Sequence, residues 1–258
     1  SGDNVCIYSN PFDRSCRMEG TIPIDTVNFA VKGAIPQPEW VVLDVFDSLL
    51  NINGISTKHD FGVIKYGDVK DTSIIQKKIY TNESPSLSSI ISITNKYSHN
   101  TFAEAIFKNI GLRRMGLGSF YTGSSSVLSI LNSRKLNTGG IKITDGSGLS
   151  RSNALSASFL CNYFAYLYTT PFFKSYYETM AEAGESGTLR KLFQNQKGEV
   201  TIRAKSGTMQ DVRAYAGYAK NAKGEMLSFA IMVNNFSVKS SEIREIIEKL
   251  MLAIAESD

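Results

Sequence analysis

Lys205, Ser206, Gly207 and Thr208 place an ammonium, two hydroxyls and a side-chain-free backbone at four successive positions. An ammonium beside two hydroxyls can hold a carboxylate, and the backbone N–H of Thr208 can stabilise an oxyanion. Gly207 lets a substrate backbone approach closely. The quartet follows Val200-Thr-Ile-Arg-Ala204, whose alternation reads as a strand. In a pleated strand Thr201, Arg203 and Lys205 share one face while Val200, Ile202 and Ala204 share the other, so Lys205 points away from the core and the quartet closes the strand. A second group, Ser98-His99-Asn100, offers a hydroxyl for proton relay and an amide to position a substrate carbonyl. Singly, each triplet is also what a helix cap or a strand-end turn looks like. Together they describe one site for acyl transfer.

These residues need elements to carry them. Three strands are expected at 5–8, 16–22 and 27–35, then a helix whose first turn suits Pro38, whose inward face is Val42, Val45, Phe46, Leu49 and Leu50, and which Gly54 ends. Residues 55–83 show no strong period, read as short strands and a connecting segment, and mark a domain boundary. From Ser84-Pro85 a helix with Leu87, Ile90, Ile91 and Thr94 on one face reaches about Tyr97, and a second begins at Thr101 and closes at Gly111. Ser98-His99-Asn100 then occupies the link between two rigid helices, where site residues concentrate. Further helices are expected over 125–135 and 157–168, the latter opened by Ser156. Strands over 213–220 and 225–235 follow the lysine quartet, joined by Asn221-Ala-Lys-Gly224, and a last helix carries Ile243, Ile246, Ile247, Leu250, Met251 and Ile254. Helices inserted before an antiparallel meander argue an α+β fold rather than alternating βαβ units.

The chain has 258 residues, 42% of them hydrophobic, enough for a substantial core. Its net charge of +4 is uneven: residues 1–80 hold 8 Lys/Arg against 10 Asp/Glu, leaving 20 against 14 in 81–258. Basic runs with interleaved aromatics are absent, which speaks against nucleic-acid binding and leaves an anionic small substrate compatible. No apolar stretch has the roughly 18 to 20 residues that span a membrane, and the first residues do not read as a signal peptide, so an export signal is expected outside this sequence. Two histidines, His59 and His99, with no C-x-x-C or H-E-x-x-H, give no zinc pattern, and no cofactor is implied. Cys6 and Cys16 suit either a bridge across a hairpin or a reduced core pair, and Cys161 reads as inert core.

Taken in order, the motifs carry a family resemblance. Thr94-Asn-Lys-Tyr-Ser-His-Asn-Thr-Phe-Ala-Glu104, Asp145-Gly-Ser-Gly-Leu-Ser-Arg-Ser-Asn153 and Lys205-Ser-Gly-Thr208, with the glycine-rich Ala183-Gly-Glu-Ser-Gly-Thr-Leu189, resemble the C-terminal portion of penicillin-binding protein 4 type D-alanyl-D-alanine carboxypeptidases/endopeptidases. The resemblance covers most of residues 30–250. It implies a penicillin-binding/β-lactamase-like transpeptidase fold, an antiparallel sheet flanked by helices, in residues 84–258, preceded in 1–83 by the end of a β-rich inserted accessory domain. It also implies roles: Ser98 as relay hydroxyl, Asn100 as carbonyl-positioning amide, Lys205 as electrostatic anchor, and Ser206, Gly207, Thr208, Asp145 and Ser147 as substrate contacts. The implied partners are peptidoglycan peptides, with β-lactams as inhibitors, and the implied location is the periplasm or another exported site.

One departure matters. No lysine has a serine three residues before it, so the Ser-x-x-Lys pair that supplies the family's nucleophile and base is not in this sequence. The chain is therefore expected to be a fragment, catalytically silent alone, with its transpeptidase core incomplete on the N-terminal side. That incompleteness predicts exposed apolar surface or a partner segment, the missing N-terminal segment being the natural one. Two rival readings stay open: a non-catalytic peptidoglycan-binding module that has lost its nucleophile, and a β-lactamase-like acyl hydrolase. Two decoys do not. Gly184-Glu-Ser-Gly187 looks like a chymotrypsin-type serine loop but lacks the placed His and Asp of an all-β protease, and Gly116-Leu-Gly118 lacks the remaining glycine of a dinucleotide loop.

Overall fold

The computed structural model describes residues 5–10, 15–24, 27–31, 33–57, 62–63, 80–193 and 201–257. It divides into two compact units, Ser1–Thr81 and Asn82–Asp258.

In the first unit, β1 (Cys6–Ser9) pairs antiparallel with β2 (Cys16–Glu19). The register sets Cys6 opposite Glu19 and Cys16 opposite Ser9, so the two cysteines sit at diagonal ends of the hairpin. Both are exposed and unbonded, which corrects the bridge and the core pair alike. The strand expected at 27–35 is not formed among the described residues. Asn28 there takes a left-handed φ of 58°, which interrupts an extended run. Helix α1 (Pro38–Ile52) forms as its spacing predicts, with Pro38 in the first turn and Gly54 just beyond its end at φ 74°. Its apolar residues Val42, Val45, Phe46 and Leu49 are nevertheless exposed. Most of the strands expected in 55–83 fall at 58–61 and 64–79, outside the described residues.

The second unit runs α2 (Leu87–Tyr97), α3 (Asn100–Met115), α4 (Phe120–Ser133), α5 (Ala157–Tyr168), α6 (Phe173–Thr179), then β3 (Ala181–Glu182), β4 (Ile202–Met209), β5 (Val212–Lys220) and β6 (Met226–Asn234), and closes with α7 (Ser240–Ala255). The four strands form one antiparallel sheet in the order β3-β4-β5-β6. Helix and strand patterns therefore deliver an α+β sheet flanked by helices. Strand alternation sorts two cores. Ile202 and Ala204 of β4, Tyr215 and Ala219 of β5, and Phe229 of β6 meet Ile243, Ile247, Met251 and Ala255 of α7. On the opposite face Ala216 and Tyr218 meet Phe164 and Met180, and the Tyr218 hydroxyl donates to the Phe164 carbonyl at 2.8 Å.

Four local expectations shift. Helix α2 starts after Ser86, whose hydroxyl accepts the Ser89 N–H, rather than at Pro85. Gly111 does not end α3 but lies buried within it, where an added Cβ would come 2.5 Å from Thr122 Oγ1 and 2.7 Å from the Gly123 nitrogen of α4. Glycine here serves close helix packing, and Gly116 at φ 76° closes the helix. Ile246 and Leu250 flank the buried stripe of α7 and stay about half exposed, at 52% and 49%. The quartet Lys205–Thr208 lies inside β4, not at its end, because β5 pairs it residue for residue as far as Met209. The apolar surface expected in this part is present in the α3–α4 turn, where Leu112, Met115, Leu117, Phe120 and Tyr121 are exposed.

Candidate active site

Ser98 is the residue after α2 and adopts a left-handed conformation, φ 55° and ψ 49°, which costs a non-glycine residue about 1 kcal/mol. That bend turns the chain directly into α3. His99 caps the new helix, its ring accepting the Phe102 N–H and stacking on the Phe102 ring at 4.1 Å. His99 is thus a structural cap between two site candidates, and Asn100, the first residue of α3, is exposed.

Lys205 reaches this bend from the sheet. Its ammonium donates to Ser98 Oγ and, at 2.7 Å, to the Ser206 carbonyl. Burial pushes the Lys205 amine below its ordinary value of 10.5, since desolvation disfavours the charged form. The two residues are 107 positions apart, and the fold makes them one hydrogen-bonded pair.

The edge of β4 explains what else is presented. Ala183 N–H donates to the Ile202 carbonyl and Lys220 N–H to the Thr201 carbonyl, so even-numbered residues of β4 turn their backbone groups toward β3 and odd-numbered ones toward β5. β3 covers only Arg203 and Ala204. Beyond it the backbone groups of Ser206 and Thr208 face an edge along which no strand lies among the described residues. The Thr208 N–H is one of them.

Strand alternation also separates the side chains expected to act together. Lys205 lies on the α2 face, whereas Ser206 and Thr208 lie on the α7 face with Ile202 and Ala204. Their hydroxyls have their own partners. Ser206 Oγ donates to Thr188 Oγ1 at 2.8 Å, and Thr208 Oγ1 accepts from Arg213 at 2.7 Å. Thr188 and Arg213 are the residues that sequence reading did not single out. Thr188 sits in the glycine-rich turn after β3, where Ser186 Oγ accepts the Glu182 N–H. Gly187 in that turn has φ 58°, and a Cβ there would lie 2.3 Å from the Lys96 carbonyl of α2. The turn is wedged beneath the end of α2, two residues before Ser98.

The segment 145–151 is an ordered turn. Asp145 accepts from the Gly148 and Ser150 N–H groups and from Asn153 Nδ2, all within 2.7–2.8 Å. Glu104, one turn along α3 from Asn100, accepts the Gly146 and Ser147 N–H groups at 3.1 Å each. The hydrogen bonds of Asp145 and Ser147 therefore run within their own loop and to α3, not to Lys205. No cluster of three metal-ligating side chains and no membrane-length apolar helix occurs among the described residues.

The model of the D-Ala-D-Ala carboxypeptidase 3 (S13) family matches residues 6–256. The chain belongs to that family. A D-alanyl-D-alanine carboxypeptidase of an Actinomadura strain is 30% identical over 241 residues, covering 91% of this chain and 44% of that protein. The chain spans less than half the length of that relative. Penicillin-binding protein 4 of Haemophilus influenzae, solved with a bound β-lactam, superposes at a TM-score of 0.73 with 20% identity, over 99% of this chain and 59% of that one. The TLA-1 extended-spectrum β-lactamase shares the fold more loosely, at a TM-score of 0.52 and 17% identity over 66% of this chain and 63% of the enzyme. The resemblance to the penicillin-binding protein 4 type, and the fold class read from it, both hold. The family is one of D-Ala-D-Ala carboxypeptidases, so the chain is of peptidase lineage.

Proposed function

We propose that this chain carries the carboxylate-anchoring and proton-relay half of a serine DD-peptidase site. The whole enzyme acts on D-Ala-D-Ala termini or D-amino-acid cross-links of peptidoglycan through an acyl-enzyme, outside the cytoplasm, and β-lactams inhibit it as substrate mimics. The observation that carries the reading is the Lys205–Ser98 hydrogen bond, next to the stretch of β4 that no strand covers among the described residues on its β3 side. A desolvated ammonium there draws the carboxylate of a D-alanyl terminus, and the Ser98 hydroxyl, held by that same ammonium, passes a proton to the leaving amine. In this reading Asn100 and the Thr208 N–H polarise the scissile carbonyl. Asp145 and Ser147 belong in this reading to an ordered loop that Glu104 ties to α3, the helix that Asn100 opens.

The attack itself needs a Ser-x-x-Lys pair, which these 258 residues do not contain. The nucleophile is supplied by a segment outside them, and this chain alone is inactive. In the same reading residues 1–83 are the end of an inserted accessory domain and 84–258 the C-terminal part of the catalytic domain. The absent pair also favours a second reading, a peptidoglycan-binding module without chemistry. A labelled penicillin separates the two: the protein encoded by the complete gene is acylated and turns the drug over slowly under the first reading, and is never acylated under the second. Rapid turnover instead marks a β-lactamase.

A further inference from the structure

We infer that Arg213 is a positioning residue that fixes Thr208 as a hydrogen-bond donor and so sets the preference of this site for an anionic ligand terminus. The inference rests on the carboxylate-anchoring reading above. Arg213 lies directly across β4 and β5 from Thr208. One guanidinium nitrogen donates to Thr208 Oγ1 at 2.7 Å and another to Ser240 Oγ in the first turn of α7. Its Nε is buried and has no partner among the described residues. Arg213 forms no ion pair with a carboxylate among the described residues. Glu248 of α7 pairs instead with Arg244, at 2.8 Å.

Two consequences follow from elementary hydrogen bonding. A guanidinium only donates, so Thr208 Oγ1 and Ser240 Oγ both act as acceptors and each keeps its own proton for a further partner. A free hydroxyl rotor is thereby turned into an oriented donor at an exposed strand edge, beside the Thr208 N–H. A cation with a buried nitrogen that has neither partner nor counter-ion among the described residues also carries a desolvation cost that an arriving anion relieves. Lys205 anchors from the α2 face of the strand and Arg213 acts through Thr208 from the α7 face. The ligand class that satisfies both is a carboxylate lying along the edge between them.

The test compares binding of an N-acylated D-Ala-D-Ala peptide with its C-terminal amide, by NMR titration of the 258-residue chain. The wild-type chain binds the acid about tenfold tighter, the size of one charge-assisted hydrogen bond. Thr208→Val and Arg213→Ala each erase most of that ratio, and the double variant is no worse than either, because both remove one coupled contact. Arg213→Lys, which keeps a charged donor, recovers part of the ratio. A merely structural arginine would weaken acid and amide equally. Should Arg213→Ala melt far below the wild type, Thr208→Val, altered at an exposed hydroxyl, and Arg213→Lys carry the comparison. If Lys205→Ala abolishes the acid preference while the Thr208 and Arg213 variants keep it, the role given to Arg213 is wrong and the anchoring reading stands. If the wild-type chain shows no acid preference, the anchoring reading fails and this inference with it.

Discussion

Lys205 is charged in a place that disfavours charge, and this gives it a measurable signature. Its folded-state pKa is lowered from 10.5 by desolvation. Between that depressed value and 10.5 the unfolded chain binds the additional proton, so stability rises with pH across this window. Lys205→Met removes the group and flattens that slope, as urea unfolding at successive pH values reads out. A bound carboxylate favours the ammonium, so anion affinity falls as pH rises through the same window. Ser98 combines a backbone cost with a side-chain contact. Ser98→Gly relieves the left-handed strain but takes an acceptor from the half-buried Lys205 ammonium, so thermal denaturation reads a net loss of about 1 kcal/mol, and the hydroxyl proposed as relay is gone. Lys205, Ser98 and Asn100 were legible in the sequence as residue types in order. Which hydroxyl meets which cation was not: Thr188 and Arg213 enter the site through tertiary contacts that leave no periodic trace.

At the scale of elements, the strong periods were legible and the short pieces were not. Helix α5 behind its Ser156 cap, the β5–β6 hairpin and the buried stripe of α7 all follow from spacing. α6 has seven residues and β3 two, too few for a period to register. Gly111 misled for a physical reason, since a glycine in a helical run reads as an end whether it ends the helix or admits a neighbour. Two tests belong here. Gly187→Ala drives a Cβ into the Lys96 carbonyl and costs roughly 2 kcal/mol or more, with the α2 end displaced and the Lys205–Ser98 pair lost. Glu104→Ala frees the Gly146 and Ser147 amides at a cost of roughly 1–3 kcal/mol, and hydrogen exchange at those two amides accelerates while the β4–β5 amides keep their protection.

For the whole molecule, fold and family were legible because three motifs fall in one order on the right elements, and the missing motif carries the proposal that the nucleophile lies outside these residues. The chain covers 44% of its Actinomadura relative, and no serine in it precedes a lysine by three. The exposed apolar residues of the α3–α4 turn, and the edge of β4 along which no strand lies beyond β3 among the described residues, fit the proposal of a catalytic domain seen in part. The central claim is that this part holds the anchor of a DD-peptidase site and not its nucleophile. Intact-protein mass spectrometry of the 258-residue chain after prolonged exposure to a penicillin tests it most directly. The account predicts an unchanged mass, with no penicilloyl adduct at any serine; a stoichiometric adduct mapping to one serine of this chain, and lost in Lys205→Ala, would contradict it.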